Sequence, residues 1–199
     1  VLRDRTDTRA ALWRVAGGQR GYFTAAQARQ AGYSYQAQRY HAQRGNWTAV
    51  DRGIYRFREF DALPGGADDH LVRWFLWSKG RAVVSHATAL SVHDLGTANP
   101  SQIHLTVPPG FRQKDDAVIL HRAELARDEV EERDGYRVTT PVRTITECAA
   151  VQMDQEVVDS AVAEALDRGL ATRRSLLRAA QRLGARAELG IERALQEAR

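Results

Sequence analysis

Four histidines are the side chains of this sequence best suited to acid-base or metal chemistry. His86 and His93 stand seven apart, which puts them on one face of a helix, while His104 and His121 fall on two stretches of strand character, with Asp94 nearby in sequence. Neutral imidazoles in such a set can share a metal ion or pass a proton. The spacing contains no short ligand pair, however, and histidines at the ends of elements commonly serve as hydrogen-bonded structural residues. An enzymatic reading therefore requires the rings to converge in space, and rings lying far apart would dismiss it. Other chemistries lack their residues altogether. There is no glycine-rich phosphate cradle, no H-E-x-x-H, no C-x-x-C and no G-x-S-x-G. The two lysines, Lys79 and Lys114, do not end an acid-x-Lys triplet, which speaks against a metal-dependent nuclease, and the single Cys148 allows neither an internal disulfide nor a thiolate cage. No catalytic residue, cofactor or metal is expected, and the chain reads as a non-enzyme.

A second set of side chains suits nucleic acid. From Ser34 to Gly45, successive steps of 100° place Ala37, Tyr40, His41 and Arg44 on one side of a helix and Tyr35, Gln36, Arg39, Ala42 and Gln43 on the other. Arginine pairs bidentately with guanine and glutamine with adenine in the major groove, so the second face carries groups matched to base edges. A solvated helix face would look the same in isolation. The distribution of charge adds weight. Residues 1–60 hold 11 arginines and no lysine against 4 acids, whereas residues 61–199 hold 18 basic residues against 21 acidic ones, within a net charge of +4. A compositional preference for arginine would explain the absence of lysine but not the local shortage of acids. A positive field concentrated on one segment is what phosphate binding and counterion release require.

The elements that must position these groups can be read from caps and breaks. Leu12, Val15 and Ala16 repeat at helical spacing after Thr8, and Gly17-Gly18 ends the run. Tyr22-Phe23 is extended. Thr24 caps Ala25 to Ala31, Gly32 supplies the left-handed C-terminal residue, and Ser34 caps a helix from Tyr35 to about Arg44, closed by Gly45. Two short helices joined by a glycine-containing turn form a helix-turn-helix. Asn46 to Val50 and Ile54 to Phe57 flank Asp51-Arg52-Gly53, a hairpin in the position of a wing. Trp47 with Ile54 or Tyr55 would pack inward, while Arg52 and Arg56 would reach phosphates or a minor groove. Ser34, Tyr35, Gln36, Arg39, Gln43, Arg52 and Arg56 are thus the candidate DNA contacts. A stand-alone winged-helix transcriptional regulator and a winged-helix protein-interaction adaptor both stand as alternatives, with a nucleic-acid-processing enzyme behind them.

Residues 61–69, with Pro64-Gly65-Gly66, read as a linker, giving a winged helix-turn-helix domain over 1–60 and a second domain over 68–199. In the latter, Leu71, Trp74, Phe75 and Trp77 mark an amphipathic helix, and Val83-Val84 leads to Ser85, expected to cap a helix through Leu95. Gln102 to Val107, Ala117 to His121 and Tyr136 to Thr139 read as strands, the last after a short charged helix from Asp128. Thr140-Pro141 opens a nearly continuous helical tail: 141–151, 154–168, 172–183 and about 185–199, broken at Gly169 and Gly184. The fold class expected is α/β of the α+β kind, a small mixed sheet with a helical C-terminal tail behind the winged module. The uncharged stretches Ala82 to His93 and Leu95 to Phe111 are too short or too broken to span a bilayer, and no basic segment followed by an apolar one opens the sequence. A cytoplasmic location is expected.

Taken in order, several segments resemble one family: Gly21-Tyr22-Phe23-Thr24, the hairpin from Asp51 to Arg56, Ala82 to Leu90, Ile103 to Pro108, and Thr139-Thr140-Pro141-Val142-Arg143-Thr144. Together they look like the AbiEi antitoxins of type IV toxin-antitoxin systems, over about residues 10 to 195. The resemblance implies a winged helix-turn-helix that represses its own operon by binding inverted repeats in operator DNA. It also implies an antitoxin domain that counteracts a nucleotidyltransferase-like AbiEii toxin, with direct contact left open. Some members carry a further nuclease-like domain after the helical tail, and that activity is not expected of these residues. Ser85, His86, Thr106, Thr140 and Arg143, which lie in the shared segments, read equally well as caps and buried hydrogen-bond partners. Because one winged helix covers few base pairs and no heptad pattern advertises a dimer, a monomer in solution that places two copies on two half-sites is expected.

Overall fold

The protein, seen here in a computed structural model, is described over residues 5–63, 65–66 and 68–198; Pro64 of the expected linker lies outside these residues. Helices and two small sheets mix in an α+β architecture that ends in a run of helices. Two compact units divide the chain. One runs to Arg81 and includes Glu132–Tyr136; the other takes Ala82–Glu131 and the chain from Arg137 onward. Among the described residues no helix is long and apolar enough to cross a membrane.

The first unit contains α1 (Arg5–Gly17), β1 (Tyr22–Thr24), α2 (Ala25–Ala31), α3 (Tyr35–Gln43), β2 (Trp47–Asp51), β3 (Ile54–Phe57) and α4 (Asp69–Trp77). Its local signals act as their residue types require. At the start of α2, Gln27 N–H donates to Thr24 Oγ1 at 3.1 Å while Thr24 N–H donates to Gln27 Oε1 at 2.8 Å, a reciprocal capping box. At its end Gly32 has φ +115°, a conformation that a side chain would strain, and its N–H serves the last carbonyls of the helix. Ser34 Oγ then accepts from Ala37 N–H, and three residues, 32–34, separate α2 from α3. β1, β3 and β2 form an antiparallel sheet in that spatial order, with Phe23 opposite Tyr55 and Trp47 opposite Phe57. The core is aromatic. Phe23 is fully buried, with ring centroids of Trp47 at 4.8 Å, Phe57 at 4.9 Å and Tyr55 at 5.9 Å, and Leu12, Ala16, Ala28 and Ala31 bring the helices onto this cluster.

α4, which the sequence reading assigns beyond the linker, groups with the first unit. The contact is polar as well as apolar. Asp51 on β2 accepts from Arg73 Nε and Nη2 at 3.2 and 3.0 Å, and Asp69 accepts from Arg20 and Arg56 at 2.8 and 3.1 Å.

A five-stranded sheet has the order β6-β5-β4-β8-β7, built from β4 (Val83–Val84), β5 (Ile103–Val107), β6 (Val118–Arg122), β7 (Val130–Arg133) and β8 (Tyr136–Thr139); the second unit holds all of it but Glu132, Arg133 and Tyr136. β4 pairs antiparallel with β5 and parallel with β8, while β5 and β6 run parallel, so the sheet is mixed. Where a charged helix from Asp128 is expected, Arg127–Glu129 make one 3-10 turn and the chain continues as the strand β7. α5 (His86–Val92), α7 (Gln155–Asp167), α8 (Arg173–Leu183) and α9 (Ala185–Glu197) all pack against α6 (Pro141–Ala150). Their shared core is rich in small residues, Ala149, Ala161, Ala165, Ala180, Ala187 and Ala194 among them, closed by Ile145, Val158, Val162, Leu176 and Ile191. Thr140 and Pro141 start α6 as their types require. Ser85 does not cap α5: its hydroxyl is turned to the His86 ring instead.

Candidate nucleic-acid interface and histidine cluster

α3 carries the first candidate site, and its orientation follows from one side chain that the 100° reading leaves unassigned. Gln38 is 2% exposed, and its Nε2 donates to Ala25 O at 3.1 Å and Tyr33 O at 3.3 Å. A buried amide that satisfies the start of α2 and the turn before α3 pins one helix to the other. The inward side of α3 accordingly runs through Ala37, Gln38 and His41, with the His41 ring stacked on Trp47 at 4.9 Å. This corrects the expected faces. Tyr40 is 50% exposed and Arg44 is exposed, with the Arg44 guanidinium over the Tyr40 ring, whereas Ala42 is half-buried.

The outward side presents Ser34, Tyr35, Gln36, Arg39, Tyr40, Gln43 and Arg44. Tyr35 is 65% exposed and lies beneath the guanidinium of Arg29 from α2, while Ser34 uses its hydroxyl as the cap. Residues 8–50 contain no Asp or Glu, and Arg39 has no acidic partner among the described residues. Such a surface repels neighbouring cations unless a polyanion neutralises them.

The hairpin separates two arginines that the sequence treats alike. Arg52 sits exposed at the turn, beside a Gly53 with φ +72° whose carbonyl accepts from Ala25 N–H at 2.8 Å and so ties the turn to the start of α2. The adjacent Asp51 carboxylate is occupied by Arg73 and by the Arg52 amide. Arg56 points elsewhere. Its Nε donates to Arg20 O at 3.1 Å, its terminal nitrogens meet Asp61 at 3.3 Å and Asp69 at 3.1 Å, and it lies over the Tyr22 ring. With each of its three guanidinium nitrogens in a hydrogen bond and only 16% of the side chain exposed, Arg56 is tied into the first unit.

The second site is the histidine set, of which three members converge. His86 begins α5, His104 lies on β5 and His121 on β6. The register pairs Thr106 with His121 and His104 with Ile119, so both strand histidines occupy one face of the sheet as diagonal neighbours. His104 Nδ1 and His121 Nε2 are 3.1 Å apart, and the His86 ring stacks on His121 with centroids 3.5 Å apart and planes 12° from parallel. His93 is not among them: its Nε2 lies 2.7 Å from Thr139 O. Behind His86, Ser85 Oγ is 2.9 Å from Nδ1, and Glu147 Oε2 is 3.7 Å from the same nitrogen. Arg143 binds Glu147 at 2.8 Å and Glu129 at 3.1 Å, closing a buried network.

Burial disfavours the protonated form of these rings. Burial lowers the His86 pKa to about 2, with His121, His104 and Arg143 repelling a proton in turn. Burial and His104 lower His121 to about 4, and burial lowers His104. Burial raises Glu147 to about 7 against the opposing attraction of Arg143. Two further features mark the cluster. His86 has φ +51°, and both Glu147 Oε2 and Thr106 Oγ1 are buried without a hydrogen-bond partner. Sequence spacing alone could not bring His86, His104 and His121 together, because the parallel pairing of β5 with β6 does so.

No protein-family model and no curated protein matches the chain. Among solved structures, the chain is similar to the RV2827C protein from Mycobacterium tuberculosis, with a TM-score of 0.59 at 14% identity over 96% of this chain and 77% of that one. At that identity the likeness is one of fold.

Proposed function

We propose that the first unit is a winged helix-turn-helix that binds operator DNA, and that the chain acts as an autoregulating antitoxin of the AbiEi kind. The observation carrying the DNA reading is the outward side of α3. It offers Arg39 between Gln36 and Gln43, in an acid-free run from residue 8 to residue 50. Laid in a major groove, this helix presents guanidinium and amide groups to base edges, while Arg52 at the hairpin turn meets the phosphate backbone. The antitoxin part rests on the ordered segments that resemble that family; its partner is a nucleotidyltransferase-like AbiEii toxin. Arg56 is left out of the proposed contacts because its donors are engaged within the unit.

The test is a salt titration of binding to the DNA upstream of the chain's own reading frame. Arg39→Ala is expected to cost about 1–3 kcal/mol and to relax the preference for that sequence, whereas Arg52→Ala weakens binding to all sequences and lowers the salt slope by about one. Deleting one half of the inverted repeat should remove the second bound copy from a protein that is monomeric when free. Equal binding by wild type and both variants would refute this docking.

A further inference from the structure

We propose that His104 and His121 form a binding site for a transition-metal dication of the imidazole-preferring class, such as Zn²⁺, with its remaining coordination positions open. The two ligand atoms, His104 Nδ1 and His121 Nε2, are 3.1 Å apart. Two nitrogens bound to one ion at 2.0–2.1 Å sit about 2.9 to 3.4 Å from each other, from square to tetrahedral angles, so the pair is spaced for a shared ion without moving either strand. Replacing their mutual hydrogen bond by metal ligation requires only that each ring carry its proton on the other nitrogen, Nε2 of His104 and Nδ1 of His121, with no net proton released.

The surroundings hold the pair in place and limit the class of ion. The His86 ring, stacked at 3.5 Å on His121, fixes the plane of that imidazole, and His86 is itself fixed through Ser85. His86 is therefore a positioning residue. Nearby charge comes from Glu129 and Glu147 against Arg143, a balance that tolerates a cation. Thr106, directly opposite His121 in the ladder, has a buried hydroxyl without a partner. Nitrogen ligands favour zinc, nickel or copper over magnesium or calcium, which prefer oxygen. Among the described residues no group of three ligating side chains is arranged to hold an ion. A two-imidazole site leaves positions for water or for a ligand atom from a bound molecule, the pattern of an exchangeable ion rather than a structural cage.

The experiment is calorimetric titration of the full chain with Zn²⁺ alone, with Mg²⁺ as the control. One Zn²⁺ per chain is expected, with no heat from Mg²⁺. His104→Asn and His121→Asn should each weaken Zn²⁺ binding by at least about tenfold, while His41→Asn leaves it unchanged. Because a substitution in the stacked rings could disturb the fold, the wild-type protein supplies a second readout: the ring-proton NMR signals of His104 and His121 should shift on adding Zn²⁺ while those of His41 and His70 stay in place. Absence of Zn²⁺ binding, binding that survives the His104→Asn/His121→Asn double substitution, or shifts confined to His41 and His70 would overturn the site.

Discussion

Replacing Gln38 tests whether the orientation of α3 depends on one buried amide. Gln38→Ala removes a methylene from the core, worth about 0.8 kcal/mol. It also removes both hydrogen bonds from Nε2 to Ala25 O and Tyr33 O, each worth about 0.5–1.5 kcal/mol net. The expected loss is about 2–4 kcal/mol. Gln38→Met separates the two contributions, because it nearly keeps the volume while removing the carboxamide and its hydrogen bonds, and about 2 kcal/mol should remain. Gln36→Ala, two residues away on the exposed side, is the control and should stay within about 0.5 kcal/mol of wild type. All four tryptophans, Trp13, Trp47, Trp74 and Trp77, belong to the first unit, so denaturant unfolding followed by tryptophan fluorescence reads that unit. A methionine variant as stable as wild type would sink the hydrogen-bond argument. Equal losses at positions 36 and 38 would sink the assignment of faces.

Alkaline pH should weaken the first unit through Tyr136, whose hydroxyl donates to Asp68 at 3.3 Å and whose pKa is pushed up to about 12, mainly by burial and then by the Asp68 carboxylate. The folded state holds this proton more tightly than the unfolded chain, so its stabilising contribution is complete below pH 10 and fades as pH rises through about 12; Tyr136→Phe should flatten that decline in fluorescence-detected melts. Cys148 on α6 is buried, and burial followed by the neighbouring Glu147 carboxylate raises its thiol pKa. A thiol reagent should therefore label it only as fast as the second unit opens, and labelling faster than hydrogen exchange of α6 amides would contradict the packing described.

Most of the helical fold was legible because helix ends are local. Thr24, Gly32, Ser34 and Thr140-Pro141 each settle a boundary through atoms within four residues, and all stand where the sequence places them. β7 was missed for the opposite reason. Val130 to Arg133 carries three charges and no alternation, and it becomes a strand through pairing with β8. One local signal did exist, the Asp134-Gly135 turn, with Gly135 at φ +87°. Ser85 shows the limit of cap reading, since a serine before a helix is also free to bond a neighbouring side chain and here it takes the His86 ring.

The two candidate sites differ in legibility for a geometric reason. An exposed helix face is written in consecutive residues, so Gln36, Arg39 and Gln43 could be named together from 100° steps. Its inner boundary was misplaced because a polar residue, Gln38, occupies the position where an apolar one would have announced the core. The same ambiguity affects arginines: Arg52 and Arg56 are four apart in one hairpin, yet carboxylates from Asp61 and Asp69 decide that only Arg52 faces solvent. Histidine convergence depends wholly on which strands pair. With β5 and β6 parallel, His104 and His121 share a face, and His86 reaches them because Ser85 N–H bonds His104 O at the end of β4. A shift of one residue in the β5–β6 register would turn one of the two rings to the opposite face and dissolve the pair. The cluster therefore depends on the same backbone hydrogen bonds that hold the sheet.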